Sequence, residues 1–260
     1  MTPTELNECF VSAITTLCEY EPASRVVRED GMARAFSHLP LPWNYFAFCG
    51  PSRSAGEFEA RVAAAADYGR RGDVPWRLVM LDDWLYDNRS EACLARYGLT
   101  RVAILSAMWA DDLQPSTRVL PEMTFQRATD AESLAPVVSL NNTLYDLDSR
   151  AGASLYLGYV DQPGACAIVG EVDGERVSCA AVLPIGRALY VGAVATRADR
   201  RGLGFGEAVL RRAVQESASS TGLRRSVLFA LPRRVPFYRA LGCTVGAQLR
   251  VYLPDNSPNT

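Results

Sequence analysis

The chain has 260 residues, a formal net charge of −2, 48% hydrophobic residues and no lysine, so all 27 of its fixed cations are arginines. That length can bury the cores of two domains. It has no dense basic stripe for nucleic acid and no apolar run long enough to span a membrane, so neither partner is expected. Seven cysteines are scattered without a Cys-x-x-Cys pair and His38 is the sole histidine, so no zinc set assembles and no metal is expected. An odd, unpaired set of thiols reads as reduced and mostly buried, which points to the cytoplasm. Met1 to Phe10 carries Glu5 and Glu8 and no basic residue, so no secretory signal is expected.

In chain order, Asn44 to Cys49 is the first apolar strand candidate. Arg53-Ser54-Ala55-Gly56-Glu57-Phe58 follows and opens a helix over Phe58 to Tyr68. Trp76 to Leu81 is a second strand candidate, and Leu94-Ala95-Arg96-Tyr97-Gly98 follows it. All four tryptophans (Trp43, Trp76, Trp84 and Trp109) lie in this half, with core packing as their first role. Pro115-Ser116-Thr117, near Pro121, marks a linker over 115–122, which sets a first domain at 1–114 apart from a second at 123–260. Residues 1–122 carry a net charge of −5 and residues 123–260 carry +3. That asymmetry suits an anionic ligand in the second half, though it weighs little.

The second half opens with a strand candidate at Phe125 to Ala128. Thr129 or Asp130 then caps a helix bearing Leu134, Val137, Val138 and Leu140. Ala167 to Glu171 and Val177 to Leu183 read as strands, joined through Asp173-Gly174, a strong tight-turn signal. Ala188 to Thr196 is apolar and β-branched, as a buried strand should be. Glu207 to Ser219 puts Ala208, Val209, Ala213 and Val214 on one helical face. Ser226 to Leu231 is a further strand candidate, and Pro236-Phe237-Tyr238-Arg239-Ala240-Leu241-Gly242-Cys243 comes after it.

Between the strand ending at Thr196 and the helix at Glu207 lies Arg201-Gly202-Leu203-Gly204-Phe205-Gly206, with no acidic side chain. Glycines at a helix start expose backbone N–H groups, and the helix dipole adds about half a positive charge there. Arg201 adds a full charge on a forked donor. A dinucleotide fingerprint needs Gly-x-Gly-x-x-Gly and an acid at the end of the next strand, and both are missing. A nucleotide-triphosphatase phosphate loop needs Gly-Lys-Ser/Thr, and there is no lysine. By itself the loop fits either a pyrophosphate site or a helix start with convenient glycines.

Arg-x-x-Gly-x-Gly after a strand resembles the coenzyme A pyrophosphate loop of the GNAT superfamily of N-acetyltransferases. The Tyr238-x-x-Leu241-Gly242 segment resembles the one these enzymes carry after their fifth strand, with Cys243 in place of the usual Phe. The resemblance covers about residues 123–253, in the order strand, helix, three strands, helix, strand, helix, strand. It implies acetyl-CoA as cosubstrate, with Val194, Ala195 and Thr196 holding the pantetheine arm along a strand edge. Arg201, Gly202, Leu203, Gly204, Phe205 and Gly206 would then bind the pyrophosphate, and Tyr238 would meet the leaving sulfur as the catalytic residue. Read from the residues alone, Tyr238 also fits an ordinary core tyrosine.

The first half looks like a faded copy of the second. Leu94 to Thr100 can be laid on Tyr238 to Thr244, and Arg53 to Phe58 on Arg201 to Gly206. This is similar to tandem GNAT-type proteins with a divergent first domain. Phe58 stands where the last loop glycine would be, Glu57 beside it repels an anion, and Leu94 replaces the tyrosine. No coenzyme site is expected there. The resemblance implies an α/β (α+β) fold of two GNAT-like domains. Each would be a mixed, largely antiparallel sheet flanked by helices, with a splayed central strand pair in the C-terminal domain.

The activity so implied is direct transfer of acetyl from acetyl-CoA to a primary amine of a small molecule or peptide, within a ternary complex. The alternative is a non-catalytic acyl-CoA-binding regulatory module. Many relatives carry a base glutamate on the fourth strand, but Ala188 to Thr196 has none. Asp146, Asp148, Glu171 or an ordered water remain candidates for the base. The sequence leaves open the acceptor, the size of the acyl group and whether the chain forms a homodimer.

Overall fold

The computed structural model describes residues 1–22, 24–37, 44–71, 75–85, 89–145, 147–148, 150 and 152–255. His38, Trp43 and Asp146 lie outside the described residues. The chain forms two compact units. The first comprises Met1–Met108, Phe229–Val235 and Val245–Thr260, and the second Trp109–Leu228 and Pro236–Thr244. Each is a mixed, mostly antiparallel sheet flanked by helices.

In the first unit, helix α1 (Pro3–Glu19) begins with a reciprocal cap, in which Thr2 Oγ1 accepts from the Glu5 amide while the Glu5 carboxylate accepts from the Thr2 amide. Strands β1 (Arg25–Glu29) and β2 (Met32–Phe36) form a hairpin whose turn, Asp30-Gly31, has positive φ at both residues. β3 (Tyr45–Phe48) and β4 (Arg77–Leu81) run parallel, connected through helix α2 (Ala55–Arg70). Helix α3 (Ser90–Arg96) leads into β5 (Leu99–Ala110).

The last strand of the chain, β11 (Thr244–Pro254), joins this first sheet, whose order is β1-β2-β3-β4-β11-β5. Its register against β4 pairs Leu249 with Leu81 and Tyr252 with Leu78. A polar cluster fixes that register. Arg250 pairs with Asp82 and Glu91, and the Tyr252 hydroxyl donates to Glu91 at 3.1 Å. Tyr252 is fully buried, and desolvation pushes its phenol well above the ordinary value.

The second unit holds β6 (Thr124–Arg127), α4 (Ala131–Asn142), α5 (Gly158–Asp161), β7 (Cys166–Val172), β8 (Glu175–Ile185) and β9 (Ala188–Thr196). These are followed by α6 (Phe205–Thr221), β10 (Ser226–Ala230) and α7 (Val235–Ala240), the last two residues of β10 and the first of α7 falling in the first unit. Asp130 caps α4 by accepting from the Ser133 amide at 2.8 Å. The Asp173-Gly174 turn has φ of 51° and 77°, the pair of positive values a two-residue hairpin of this hand requires. The sheet order is β6-β7-β8-β9-β10, antiparallel except for the last pair. Helix α6 lies across β7, β8 and β9, burying Val209 and Ala213 over Ile168, Ala180 and Leu189.

All seven cysteines are free thiols. Burial pushes Cys166 and Cys179 up to about 12 and Cys243 up to about 11, with Glu216 adding to the effect at Cys166. Unfolded thiols ionise near 9.0. Because the folded values are the higher ones, the folded state keeps more protons above pH 9, so its stability is full below that pH and falls as pH rises. We expect the denaturant midpoint to fall as pH rises from about 9 toward about 11. We also expect Cys179→Ala, whatever its overall cost, to flatten that slope. Equal slopes in both proteins would contradict the assignment.

Candidate functional site

The site is built around the end of β9. β9 pairs in parallel with β10 only at Leu189 with Ser226 and Tyr190 with Val227, and β9 then runs on to Thr196. No ladder pair with β10 follows beyond that point, which leaves one edge of β9 unpaired along its C-terminal part among the described residues. On its other edge, Cys179 faces Ala195 and Ala181 faces Gly192, so Ala180 stands opposite both Ala193 and Val194. This is a β-bulge, with Ala193 at φ 46°, a strained value for a residue with a side chain. The Ala193 carbonyl is taken by the Cys179 thiol at 3.2 Å and the Ala195 carbonyl by the Ser178 hydroxyl at 2.7 Å. Gly192 is required beside the bulge, because a Cβ there would lie 2.2 Å from the Tyr159 hydroxyl.

Past Thr196, a short 3-10 turn at Ala198–Arg200 leads into the loop. Gly202 and Gly204 have φ of 80° and 96°, conformations that glycine adopts without strain. Gly204 is the N-cap of α6 and offers no capping side chain, so the first amides of a 17-residue helix are left to find another partner. Gly206 packs against the strand end: a Cβ there would stand 2.9 Å from Thr196 Oγ1 and 3.9 Å from Phe237. Phe205 is buried beneath the loop, and Leu203 is exposed on it.

The three neighbouring arginines differ in how they are held. Arg197 is committed to Asp199 and Glu175, and Arg200 pairs with the same two carboxylates. The Arg197 hydrogen bonds hold the Asp199 carboxyl below its ordinary value. Arg201 donates its Nε to the Thr196 carbonyl at 3.1 Å and, among the described residues, pairs with no carboxylate. Its exposed guanidinium is therefore anchored at one nitrogen and open to an anion at the others.

Tyr238 sits in the last turn of α7, half-buried, with its ring edge-on to Phe237 at 4.9 Å. Its carbonyl accepts from the amides of Leu241 and Cys243, and Gly242 ends the helix at φ 92°. Leu241 and Cys243 are buried, so Cys243 fills core space where a Phe was expected.

Two residues beside the loop were not read from the sequence. Glu207, in the first turn of α6, is 6% exposed. Its Oε1 accepts from Arg211 at 2.9 Å and its Oε2 from Arg118 at 3.1 Å. Burial alone pushes its carboxyl up, but the polar groups around it, the Ser116 hydroxyl and the Arg211 and Arg118 guanidinium groups, outweigh this and hold the group below the usual carboxylate value. Arg118 also donates to the Gly202 carbonyl at 3.3 Å. No pattern marks Arg118, which lies in irregular chain far from the loop in sequence. The bulge did leave a signal, since Gly192 is an isolated glycine inside a strand.

The proposed bases are placed less favourably. Asp148 is exposed, and its carboxylate accepts from the Arg150 amide at 2.9 Å. Glu171 is engaged by Gln126 at 2.8 Å and by Arg176 at 3.4 Å on the β6–β8 side of the sheet.

The corresponding loop in the first unit is closed by its own side chains. Ser54 Oγ caps α2 by accepting from the Glu57 amide at 3.1 Å, and Glu57 accepts from the Arg53 amide at 2.7 Å. Arg61 reaches back to Glu57 at 2.6 Å and to the Gly50 carbonyl at 2.9 Å. Phe58 was expected to crowd this loop. It is instead 2% exposed in the core, 5.8 Å from the Phe48 ring, so the cap and the Glu57–Arg61 pair do the closing. Leu94 is fully buried and precedes Gly98, whose φ of 67° parallels that of Gly242.

Residues 134–243 match the acetyltransferase (GNAT) family. No curated protein matches the chain. Among solved structures, the chain is similar to a GCN5-related N-acetyltransferase from Kribbella flavida, at 16% identity and a TM-score of 0.72 over 99% of this chain and 97% of that one. A GCN5-related N-acetyltransferase from Sphaerobacter thermophilus is 14% identical, with a TM-score of 0.60 over 88% and 78% of the two chains. A tandem GNAT protein from the clavulanic acid biosynthesis pathway is 14% identical, with a TM-score of 0.55 over 100% and 98%. At these identities the likeness speaks for the fold.

Proposed function

We propose that this chain, whose residues 134–243 form a domain of the acetyltransferase (GNAT) family, transfers acetyl from acetyl-CoA to a primary amine of a small molecule or peptide. In sequence, the functional division is a coenzyme-free first domain at 1–114, a linker at 115–122 and a catalytic domain at 123–260, which departs from the structural units in that the last strand, β11, is built into the first sheet. The observation that carries this reading is the start of α6, which has no side-chain cap, beside the guanidinium of Arg201, which pairs with no carboxylate among the described residues, at the end of a strand whose pairing with β10 stops at Tyr190. Backbone amides from Gly202 to Gly206 together with Arg201 suit a pyrophosphate. The free edge of β9 at Val194, Ala195 and Thr196 suits the pantetheine arm, which would pair with it as an added strand does.

Acetyl-CoA supplies an activated thioester. In the transfer, the C–N bond to the amine forms and the C–S bond breaks; the amine nitrogen gives up a proton, proposed to pass to an ordered water, and the sulfur leaves with the electron pair and needs a proton or a hydrogen bond. Tyr238 is proposed to provide it. A phenol near ~10 is a weak acid toward a thiolate near ~8.5, so hydrogen bonding carries as much of its effect as proton transfer. A β9 amide beside the bulge is proposed to polarise the thioester carbonyl.

Arg201→Ala should weaken coenzyme A binding by about 1–3 kcal/mol, the range for a hydrogen bond to a charged group. The reading as a whole is tested by screening a broad panel of amines with acetyl-CoA while detecting released thiol. Amine-dependent thiol release supports it. Tight binding without turnover of any amine favours the acyl-CoA-binding module instead.

A further inference from the structure

We propose that Arg118, carried by the irregular segment before β6, is a positioning residue of the coenzyme site. It would hold the loop in shape and offset the negative charge of Glu207 beside it. The inference rests on the coenzyme reading above. Glu207 lies in the first turn of α6, one residue after the loop, where a negative charge is favourable to the helix dipole. The same position is unfavourable to a bound pyrophosphate, because like charges at close range in a partly desolvated site repel strongly. The carboxylate is clamped on both oxygens, by Arg211 from its own helix and by Arg118 from outside it.

Arg118 differs from Arg211 in its second contact. Its Nη1 reaches the Gly202 carbonyl at 3.3 Å, so one planar guanidinium ties the glycine turn to the helix start. The segment that carries it also presses on the loop: a Cβ on Gly204 would stand 2.9 Å from Pro121 and 3.8 Å from Arg118. Ser116, two residues before Arg118, donates its hydroxyl to the Arg118 carbonyl at 2.9 Å and accepts from the Arg118 amide at 3.3 Å, which braces the backbone that carries the guanidinium. About half of the Arg118 side chain remains exposed, so it carries its positive charge on the face of the loop that solvent reaches. A stretch that reads in sequence as a bare linker thus supplies three residues that shape the site.

The test is calorimetric titration of the full chain with coenzyme A and, separately, with pantetheine, which lacks the phosphates. Four proteins are compared: wild type, Arg118→Ala, Glu207→Gln and the double variant, each checked for folding by circular dichroism. We expect Arg118→Ala to bind coenzyme A about tenfold more weakly with pantetheine affinity unchanged. Adding Glu207→Gln should bring coenzyme A affinity back to within about threefold of wild type. Wild-type affinity in folded Arg118→Ala overturns the inference, as does an equal loss for both ligands or a double variant no better than the single. Should Arg118→Ala not fold, the comparison of Glu207→Gln with the double variant decides. A difference within about threefold supports the proposal, and a tenfold loss overturns it. A wild-type chain that does not bind coenzyme A refutes the coenzyme reading itself, a result distinct from all of these.

Discussion

Tyr238→Phe is expected to lower the turnover number by about 10²–10⁴-fold while leaving acetyl-CoA affinity within a few-fold, under about 1.4 kcal/mol. The substitution removes one oxygen and keeps the ring, so the edge-on contact with Phe237 survives. The backbone bonds from Leu241 and Cys243 to the Tyr238 carbonyl are indifferent to the side chain. A hydroxyl that assists departure of the sulfur acts mainly in the transition state, so its loss belongs in kcat and not in ground-state binding. Measurement requires an acceptor that the wild-type protein turns over. Full turnover in the variant would make Tyr238 a packing residue and assign the sulfur's proton to another group.

Gly204→Val should abolish measurable coenzyme A binding. The residue sits at φ 96°, where a β-branched side chain is strained by about 1–3 kcal/mol, and its Cβ would stand 2.9 Å from Pro121. Either the loop shifts or Pro121 does, and in both cases the amides of the helix start no longer converge on one point. The far-ultraviolet circular dichroism should stay close to that of wild type, since α6 is held by its buried face, with a lower thermal midpoint. Gly202→Ala is the instructive companion. Its φ is also positive, at 80°, but a Cβ there meets nothing within 4 Å. It should therefore weaken binding less than Gly204→Val does. Unchanged affinity in Gly204→Val would reduce the loop to a helix cap.

The second sheet was readable because its signals are local. Ala188 to Thr196 and Ser226 to Leu231 are mostly apolar runs, and the structure ends the strands at Thr196 and, one residue short of the expected end, at Ala230. Asp173-Gly174 carries its turn in two letters. The candidate site was readable for the same reason, since glycines that need positive φ and an arginine three residues ahead are a short, dense pattern. α1 had a signal that went unread: Thr2-Pro3-Thr4-Glu5 has the spacing of a capping box. β1 and β2 are harder to see, because β1 is mostly exposed and arginine-rich, so no apolar run marks it.

What sequence does not encode locally is partnership. β11 follows Cys243 directly, yet it pairs with β4, through Leu249 opposite Leu81 and the Arg250 contacts to Asp82 and Glu91. Nothing in Thr244 to Pro254 names that neighbour. The same holds for Arg118, whose two partners lie more than eighty positions away. The Ala193 bulge depends on Ser178 and Cys179 across the ladder. In the first unit the aligned residues pointed to a closed loop, but the agents are Ser54 and the Glu57–Arg61 pair. Phe58 could not be seen to turn inward without knowing that α2 begins at Ala55.

On the function proposed here, one loop of this chain is open to coenzyme A and its counterpart is shut. Calorimetric titration of the wild-type chain with coenzyme A tests it most directly. The open α6 start and the Ser54-capped α2 start predict one site per chain, and Gly204→Val should remove it. Two equal sites, or none, would contradict the account.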